Sequence, residues 1–479
     1  MPRLCVPPRR CKGAEPDQSE QAMTHFSFSM QRKQWSARRA VIAGLLGGAA
    51  FLAACSEPEV VLPGQREDIR SVLSDGGVDQ SGPVAFAGNQ TRAISLPATR
   101  VNADWTQTTG TPATRVNHPA LAAAPTLRWV AKIGNGDSRK FRITAAPVVS
   151  EGRIFTLDSQ SVITATSTAG ATLWQADLRP PRDQEGDATG GGVVVVGDTV
   201  YAATGFGVLT ALDATTGTVR WTQQLGGSST GAPTVSGDLV YVLAGDNTGF
   251  AINRSDGTVA WELNTSESLG NVLGAPAPAV TDEFAIFAFG SGEVQGVFRR
   301  GGLSRWDTSV VGKRAGRALS NTSDITAPPV VSGNTVYVGN QSGRIAALEL
   351  DSGSRIWTAR EGAVGPVWPV GDSVFAVSEL NELMRLDASD GSKIWGVELP
   401  NFIKRKPRRQ GAVMTHHGPI VAGGRVILAS SDGLLRSYDP TNGALLASTE
   451  LPGGATSDPV VAGQTLYVVN ANGELLAYR

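Results

Sequence analysis

Residues 327–357, APPVVSGNTVYVGNQSGRIAALELDSGSRIW, hold four short β-type runs separated by turn pairs. The runs are PPVV, then TVYVG after Gly333-Asn334, RIAALEL after Ser342-Gly343 and SRIW after Ser352-Gly353. Gly and Asn at those places tolerate the positive φ that tight hairpins need. The result is four antiparallel strands in a sheet too small to cover both of its own faces. Such a unit is stable only when neighbours stack on it, so repetition is the strongest constraint on the fold.

The chain does repeat. Further units begin at Ala146-Pro147, Gly192, Ala232-Pro233, Ala277-Pro278, Gly365-Pro366, Gly418-Pro419 and Asp458-Pro459, at a period of roughly forty-five residues. The final unit, DPVVAGQTLYVVNANGELLAYR, has three strands and no fourth. Residues 126–133, TLRWVAKI, read as a lone fourth strand with its own tryptophan. The predicted fold is therefore all-β: an eight-bladed propeller of four-stranded blades over residues 126–479. Its last blade is closed by N- and C-terminal strands, which leaves only short, protected sheet edges.

Fourth strands carry Trp129, Trp174, Trp221, Trp261, Trp306, Trp357 and Trp395, with Ala447 at the matching place in blade seven. A ligand site needs one or two tryptophans rather than a ring of them, so these read as docking residues between blades. The recurring acidic residue at the end of the third strand (Asp213, Glu349, Asp387, Asp439) reads as turn chemistry, accepting N–H bonds from the next turn. The pattern A-P-x-V … G-x-x-x-A-L-D-x-x-x-G-x-x-x-W resembles the pyrroloquinoline-quinone-type propeller repeat. That repeat is specific for fold and uninformative about function.

Ahead of the propeller, residues 1–29 carry Cys5, Cys11 and His25 without periodicity and read as an over-called start or an unstructured stretch, with Met23 and Met30 as alternative starts. Residues 30–54 read as a lipoprotein signal. Arg32, Lys33, Arg38 and Arg39 precede a 15-residue apolar run, residues 40–54, shorter than the span of about 20 residues a membrane helix needs. It ends in Leu52-Ala53-Ala54-Cys55, which resembles a bacterial lipobox with Cys55 as lipid acceptor. The three cysteines would then leave no thiol or disulfide in the mature propeller, which suits an oxidising envelope. Ser56, in place of an Asp, favours the outer membrane. Residues 55–125 read as a lipid-anchored tether, docked at points such as Trp105, with His118 as a solvated loop residue.

Net charge is −1, so no global field draws nucleic acid. The run Lys404, Arg405, Lys406, Arg408, Arg409 between blades six and seven is a local exception. It reads as a solvated loop, or as a contact for anionic lipid or an acidic partner. The adjacent His416 and His417 face opposite sides of a strand and do not form a metal pair. No nucleophile, P-loop, zincin or haem-attachment motif is present, and four histidines are a thin supply for acid–base work. The quinone dehydrogenases sharing this repeat typically carry a vicinal Cys pair that this propeller lacks. No catalytic, cofactor or metal residue is assigned.

Lipobox, tether and propeller together resemble the lipoprotein family of the machinery that folds β-barrels into the Gram-negative outer membrane. That resemblance implies a non-catalytic scaffold. Its partners would be the central outer-membrane barrel-assembly subunit, other assembly lipoproteins and unfolded outer-membrane clients, the last meeting exposed strand edges. Leu319-Ser320-Asn321-Thr322-Ser323-Asp324-Ile325-Thr326 is similar to the family's L-S-D-V-D-T-T segment. The preceding loop, Leu269-Gly270-Asn271-Val272-Leu273-Gly274, matches the family's other gripping loop, with Leu273 where better-studied members have Arg. The residues so implied for partner binding are Leu269, Asn271, Val272, Leu273, Gly274, Asp324, Ile325 and Thr326. The rival readings are a periplasmic ligand-binding or sensor propeller and a quinone-dependent dehydrogenase. Either needs polar or titratable groups at the channel mouth, where the first strands (Pro147-Val148, Pro233-Thr234, Pro328-Pro329, Pro459-Val460) offer apolar ones.

Overall fold

The computed structural model describes residues 86, 88–265, 276–312, 325–404 and 406–479. They form eight four-stranded antiparallel sheets in a ring. Blade five is representative, with strands Val330–Ser332, Thr335–Asn340, Arg344–Glu349 and Arg355–Ala359. First strands of successive blades approach one another and so line the axis, while fourth strands form the rim. Burial follows from that layering. Second and third strands are covered on both faces by neighbouring blades and read as continuous apolar runs, as in Thr199–Thr204. Fourth strands such as Val219–Gln224 alternate exposed and half-buried.

The expected clasp closes blade eight. Leu127–Lys132 lies antiparallel to Glu474–Tyr478, with Trp129 opposite Ala477, so one sheet joins the two ends of the propeller sequence.

The tryptophans dock blades as expected, and the structure supplies the mechanism. In each blade the register slips between third and fourth strand just ahead of the docking position. Ala347 pairs with Trp357, yet Leu348 pairs with Arg355, so Ile356 is the bulged residue. Such a bulge re-aims the next side chain, here toward the following blade. Each indole N–H then donates to a backbone carbonyl of that blade: Trp129 to Thr168, Trp174 to Ala214, Trp221 to Arg254, Trp261 to Arg299, Trp306 to Leu350, Trp357 to Ala388 and Trp395 to Pro440, at 2.8–3.1 Å. The ring rests on a glycine of the turn between that blade's third and fourth strands. Gly391 (φ +72°) lies beneath Trp357, and a Cβ there would come within 2.4 Å of the ring. Ala447 is the exception because of the clasp: in blade eight the third and fourth strands come from opposite chain ends, so no such turn exists to receive an indole.

The segment from 88 to 125, read from sequence as the latter part of a tether, is packed along the propeller. It enters at the rim of blade six. Asn89 exchanges two hydrogen bonds with Gly396, each 2.9 Å, and the Gln90 N–H donates to Ile394 O. Arg92 then pairs with Asp372 and Asp387, and the fully buried Arg385 donates to the carbonyls of Arg92 and Ala93.

From Asn102 the chain makes one circuit over the first strands, blade by blade. Asn102 bonds Val461 and Gly463 of blade eight. Trp105 exchanges two backbone bonds with Val149 of blade one, and Thr106 O accepts from Val195 of blade two. The Gln107 amide brackets Val235 of blade three on both sides, at 2.9 and 3.0 Å. Pro112 and Ala113 carbonyls accept from Val280 and Val331 of blades four and five. Arg115 donates to Pro366 and Val367 carbonyls at the head of blade six, and Pro119 O accepts from Gly423 of blade seven. Backbone groups that would otherwise be left unpaired at the ends of the first strands are thereby satisfied.

His118 corrects the sequence reading. It is buried, its Nε2 accepts from the Gly424 N–H, and its Nδ1 therefore carries the proton donated to Pro97 O. Its neighbours reach it from distant sequence, which is why local polarity suggested solvent.

Candidate partner-binding face

The two ends of the ring differ in chemistry. At the end where first and second strands connect, the circuit of residues 102–119 covers the mouth of the channel. Arg115 sits inside this cover, its guanidinium 4.8 Å above the Trp368 ring. Burial pulls its pKa down to about 10, with Asp458 opposing the shift. A cleft of about 410 Å³ lies beside the cover, lined by Thr99, Ala120, Leu121, Ala122, Gly423, Gln464 and Arg479. It presents no carboxylate or histidine side chain.

Several titratable groups elsewhere have structural partners. Asp213 lies well below the ordinary carboxylate range, first because Arg220 bonds it and then because it accepts the Thr216 and Thr215 N–H groups of its turn. Asp439 accepts from Thr441 and Asp387 from Ser389 in the same way, as the turn reading requires. His416 and His417 diverge. The His416 ring spans Ser430 Oγ (2.7 Å) and Pro400 O (2.8 Å), while His417 Nδ1 lies 3.9 Å from Asp458. Burial lowers the pKa of both. Among the described residues no three His, Cys, Asp or Glu side chains gather as metal ligands.

The opposite end carries the connections from fourth strands to the next first strands, and there lie the described flanks of the two segments implied for partner binding. Leu269, Asn271, Val272, Leu273, Gly274 and Asp324 lie outside the described residues, as does Cys55. The flanks are described. Thr265 Oγ1 donates to Glu293 at 2.8 Å, and Thr326, half-buried, accepts from Gln341 at 3.0 Å. Ile325 is fully buried among Ala279, Ile286 and Val331, so its side chain packs between blades instead of facing a partner. The resemblance placed it on the gripping surface, whereas its apolar side chain follows the ordinary preference for burial.

Two features were legible in the sequence only in part. The channel cover has no periodicity, and only Trp105 marks it. The basic run between blades six and seven proves to be a projecting hairpin: Phe402 pairs with Val413, Ile403 N–H donates to Ala412 O and Met414 N–H to Asn401 O.

A ring of eight four-stranded blades, seven of its junctions docked by an indole and the ring closed by a two-ended clasp, defines a propeller of the quinone-repeat class. Solved structures agree at the level of fold. BamB from Moraxella catarrhalis superposes with a TM-score of 0.60 at 18% identity, over 74% of this chain and all of that one. The quinohemoprotein alcohol dehydrogenase of Comamonas testosteroni gives 0.59 at 15%, over 78% of this chain and 80% of the other. Sequence separates these two. The family model described as outer membrane protein assembly factor BamB matches residues 158–397 and 402–479, and the chain belongs to that family. Relatives of that name include the Salmonella typhimurium protein, 28% identical over 74% of this chain and 88% of the relative. The Escherichia coli protein is also 28% identical, over 73% and 87%.

Proposed function

We propose that this chain is a non-catalytic scaffold lipoprotein of the machinery that assembles β-barrels into the outer membrane. The observation that carries the reading is the family match along the propeller, joined to relatives named as outer membrane protein assembly factors. In this reading Cys55 carries the lipid and holds the protein at the periplasmic face of the outer membrane. The loops bearing Leu269, Asn271, Val272, Leu273, Gly274, Asp324 and Thr326 grip the periplasmic part of the central barrel-assembly subunit. Ile325 supports them from the core. Other assembly lipoproteins join the same complex. The rigid ring acts by position, since interlocked blades transmit orientation without chemistry. Unfolded clients would meet the open rims of fourth strands; the rim of blade six is already occupied by Asn89 and Gln90.

The test is co-purification from detergent-solubilised envelope with the intact lipoprotein, beside a Val272→Asp/Leu273→Asp variant. Recovery of the large barrel-assembly subunit with the native chain, and its loss with the variant, is the expected result. Recovery with both keeps the role and moves the interface. Recovery with neither overturns the scaffold reading.

A further inference from the structure

We propose that the hairpin of residues 401–414 is a membrane-contact element that docks on an anionic phospholipid surface. Its tip carries Lys404, Lys406, Arg408 and Arg409, all exposed, with Pro407–Arg409 forming a single 3-10 turn. Among the described residues none of these four pairs with a carboxylate, unlike Arg92, Arg220 or Arg436 elsewhere in the propeller. Beside the cations the hairpin exposes Phe402 (38%), Ile403 (57%) and Val413 (54%). Phe402 and Val413 pair across the two arms, so the apolar surface is continuous. Cations at a tip with apolar side chains just behind them match a bilayer interface, where headgroups meet the charges and acyl chains receive the rings.

The hairpin is also held firmly enough to act as a foot. The Ser430 hydroxyl and Pro400 carbonyl fix the ring of His416 at its base, and the Asn381 amide donates to Met414 O (2.9 Å) and to Asn401 Oδ1 (3.4 Å). Among the described residues the tip cations form no ion pair that would offset their mutual repulsion, unlike the paired arginines elsewhere.

Location favours lipid over an acidic protein. The chain leading from Cys55 joins the propeller on the outer strand of blade six, Lys393–Glu398. There Phe86 lies under the Lys393 ammonium at 4.5 Å and Asn89 bonds Gly396. That same strand runs on into the hairpin, and Phe402 is six residues beyond Gly396, at most about 20 Å of extended chain. The point where an anchored N-terminus enters and the point where the cations project are therefore neighbours. This last step rests on the lipid-anchor reading, whereas the charge and apolar pattern does not.

The experiment uses the full mature chain with Cys55→Ser, so that no acyl group contributes and the two readings fail separately. Co-flotation is measured with phosphatidylcholine vesicles with and without phosphatidylglycerol. The native hairpin should bind the anionic vesicles only, less so as salt rises. Lys404→Glu/Lys406→Glu/Arg408→Glu/Arg409→Glu should weaken binding more than about a hundredfold, at roughly fivefold per cation removed. Phe402→Ser/Ile403→Ser should weaken it as well, which a purely electrostatic contact would not require. Both variants lie on an exposed hairpin and should keep the native thermal transition. Absence of binding by the native hairpin, or equal binding by all forms, overturns the proposal. So does loss of a co-purifying acidic protein from the charge variant with no vesicle binding by the native chain.

Discussion

The indole-on-glycine contact between blades can be tested by a double-mutant cycle at Trp357 and Gly391. Gly391 has φ +72°, and a Cβ there would meet the Trp357 ring at 2.4 Å, far inside van der Waals contact. The ring has nowhere to go. It is 7% exposed, its N–H is held by Ala388 O at 2.9 Å, and Tyr337 flanks it with ring centroids 5.9 Å apart. Gly391→Ala should therefore incur two separate penalties: about 1–2 kcal/mol for a left-handed L-residue and about 1–3 kcal/mol for overpacking. Trp357→Ala alone should destabilise by about 3–5 kcal/mol. In the Trp357→Ala background only the backbone penalty of Gly391→Ala survives, which leaves a coupling of about 1–3 kcal/mol. Gly333→Ala is the control, because Gly333 has φ +59° with no atom within 4 Å of an added Cβ. The assay is urea unfolding followed by circular dichroism and fluorescence, with coincident transitions required before midpoints are converted to free energies. The reasoning fails if Gly391→Ala costs as much without the ring as with it.

Other consequences follow from the buried polar groups. Arg385→Met removes the cation that ties Arg92 and Ala93 to blade six and should destabilise by about 1.5–3 kcal/mol. Limited proteolysis should then cut within residues 88–100 before the blades. His416 and His417 have folded-state pKa values lowered by burial from 6.5. The neutral form is favoured in the folded protein, so their contribution is complete above pH 6.5 and is lost as pH falls below it. Thermal stability should drop between neutral and mildly acidic pH, and a His416→Gln/His417→Gln variant should show a shallower decline over the same range.

Strand positions, blade boundaries and the clasp could be read from the sequence because each rests on local rules that repeat: turn glycines, period-two runs, one tryptophan per blade. Even the exception at Ala447 is lawful once the clasp is known. Residues 102–119 could not be read because their partners are spread over every blade. Asn102, Gln107 and His118 are ordinary polar residues locally and find their partners only on the inner strands and turns of blades up to several hundred positions away, where Gln107 and His118 become buried. The basic hairpin was visible as charge, but not as a fastened projection, because its base is fixed by His416 of the following strand and by Asn381 of a turn in blade six. Ile325 was placed among the partner-binding residues by resemblance to the family's segment, while its side chain follows the ordinary burial rule for isoleucine.

The channel cover also sets the order in which this protein can become itself. Asn102 waits for Val461, 359 positions later, and Thr126 for Arg479, 353 later, so neither contact exists until the final blade has been made. Closing so long a loop adds little free energy, because the entropy grows only with the logarithm of length. In time the effect is larger, since long-range β pairing is slow. Until then the stretch that ends as the innermost layer trails unpaired, and the unsealed first and last blades offer their strand edges to any neighbour. A chain built this way stays open to edge pairing until its last strand is in place.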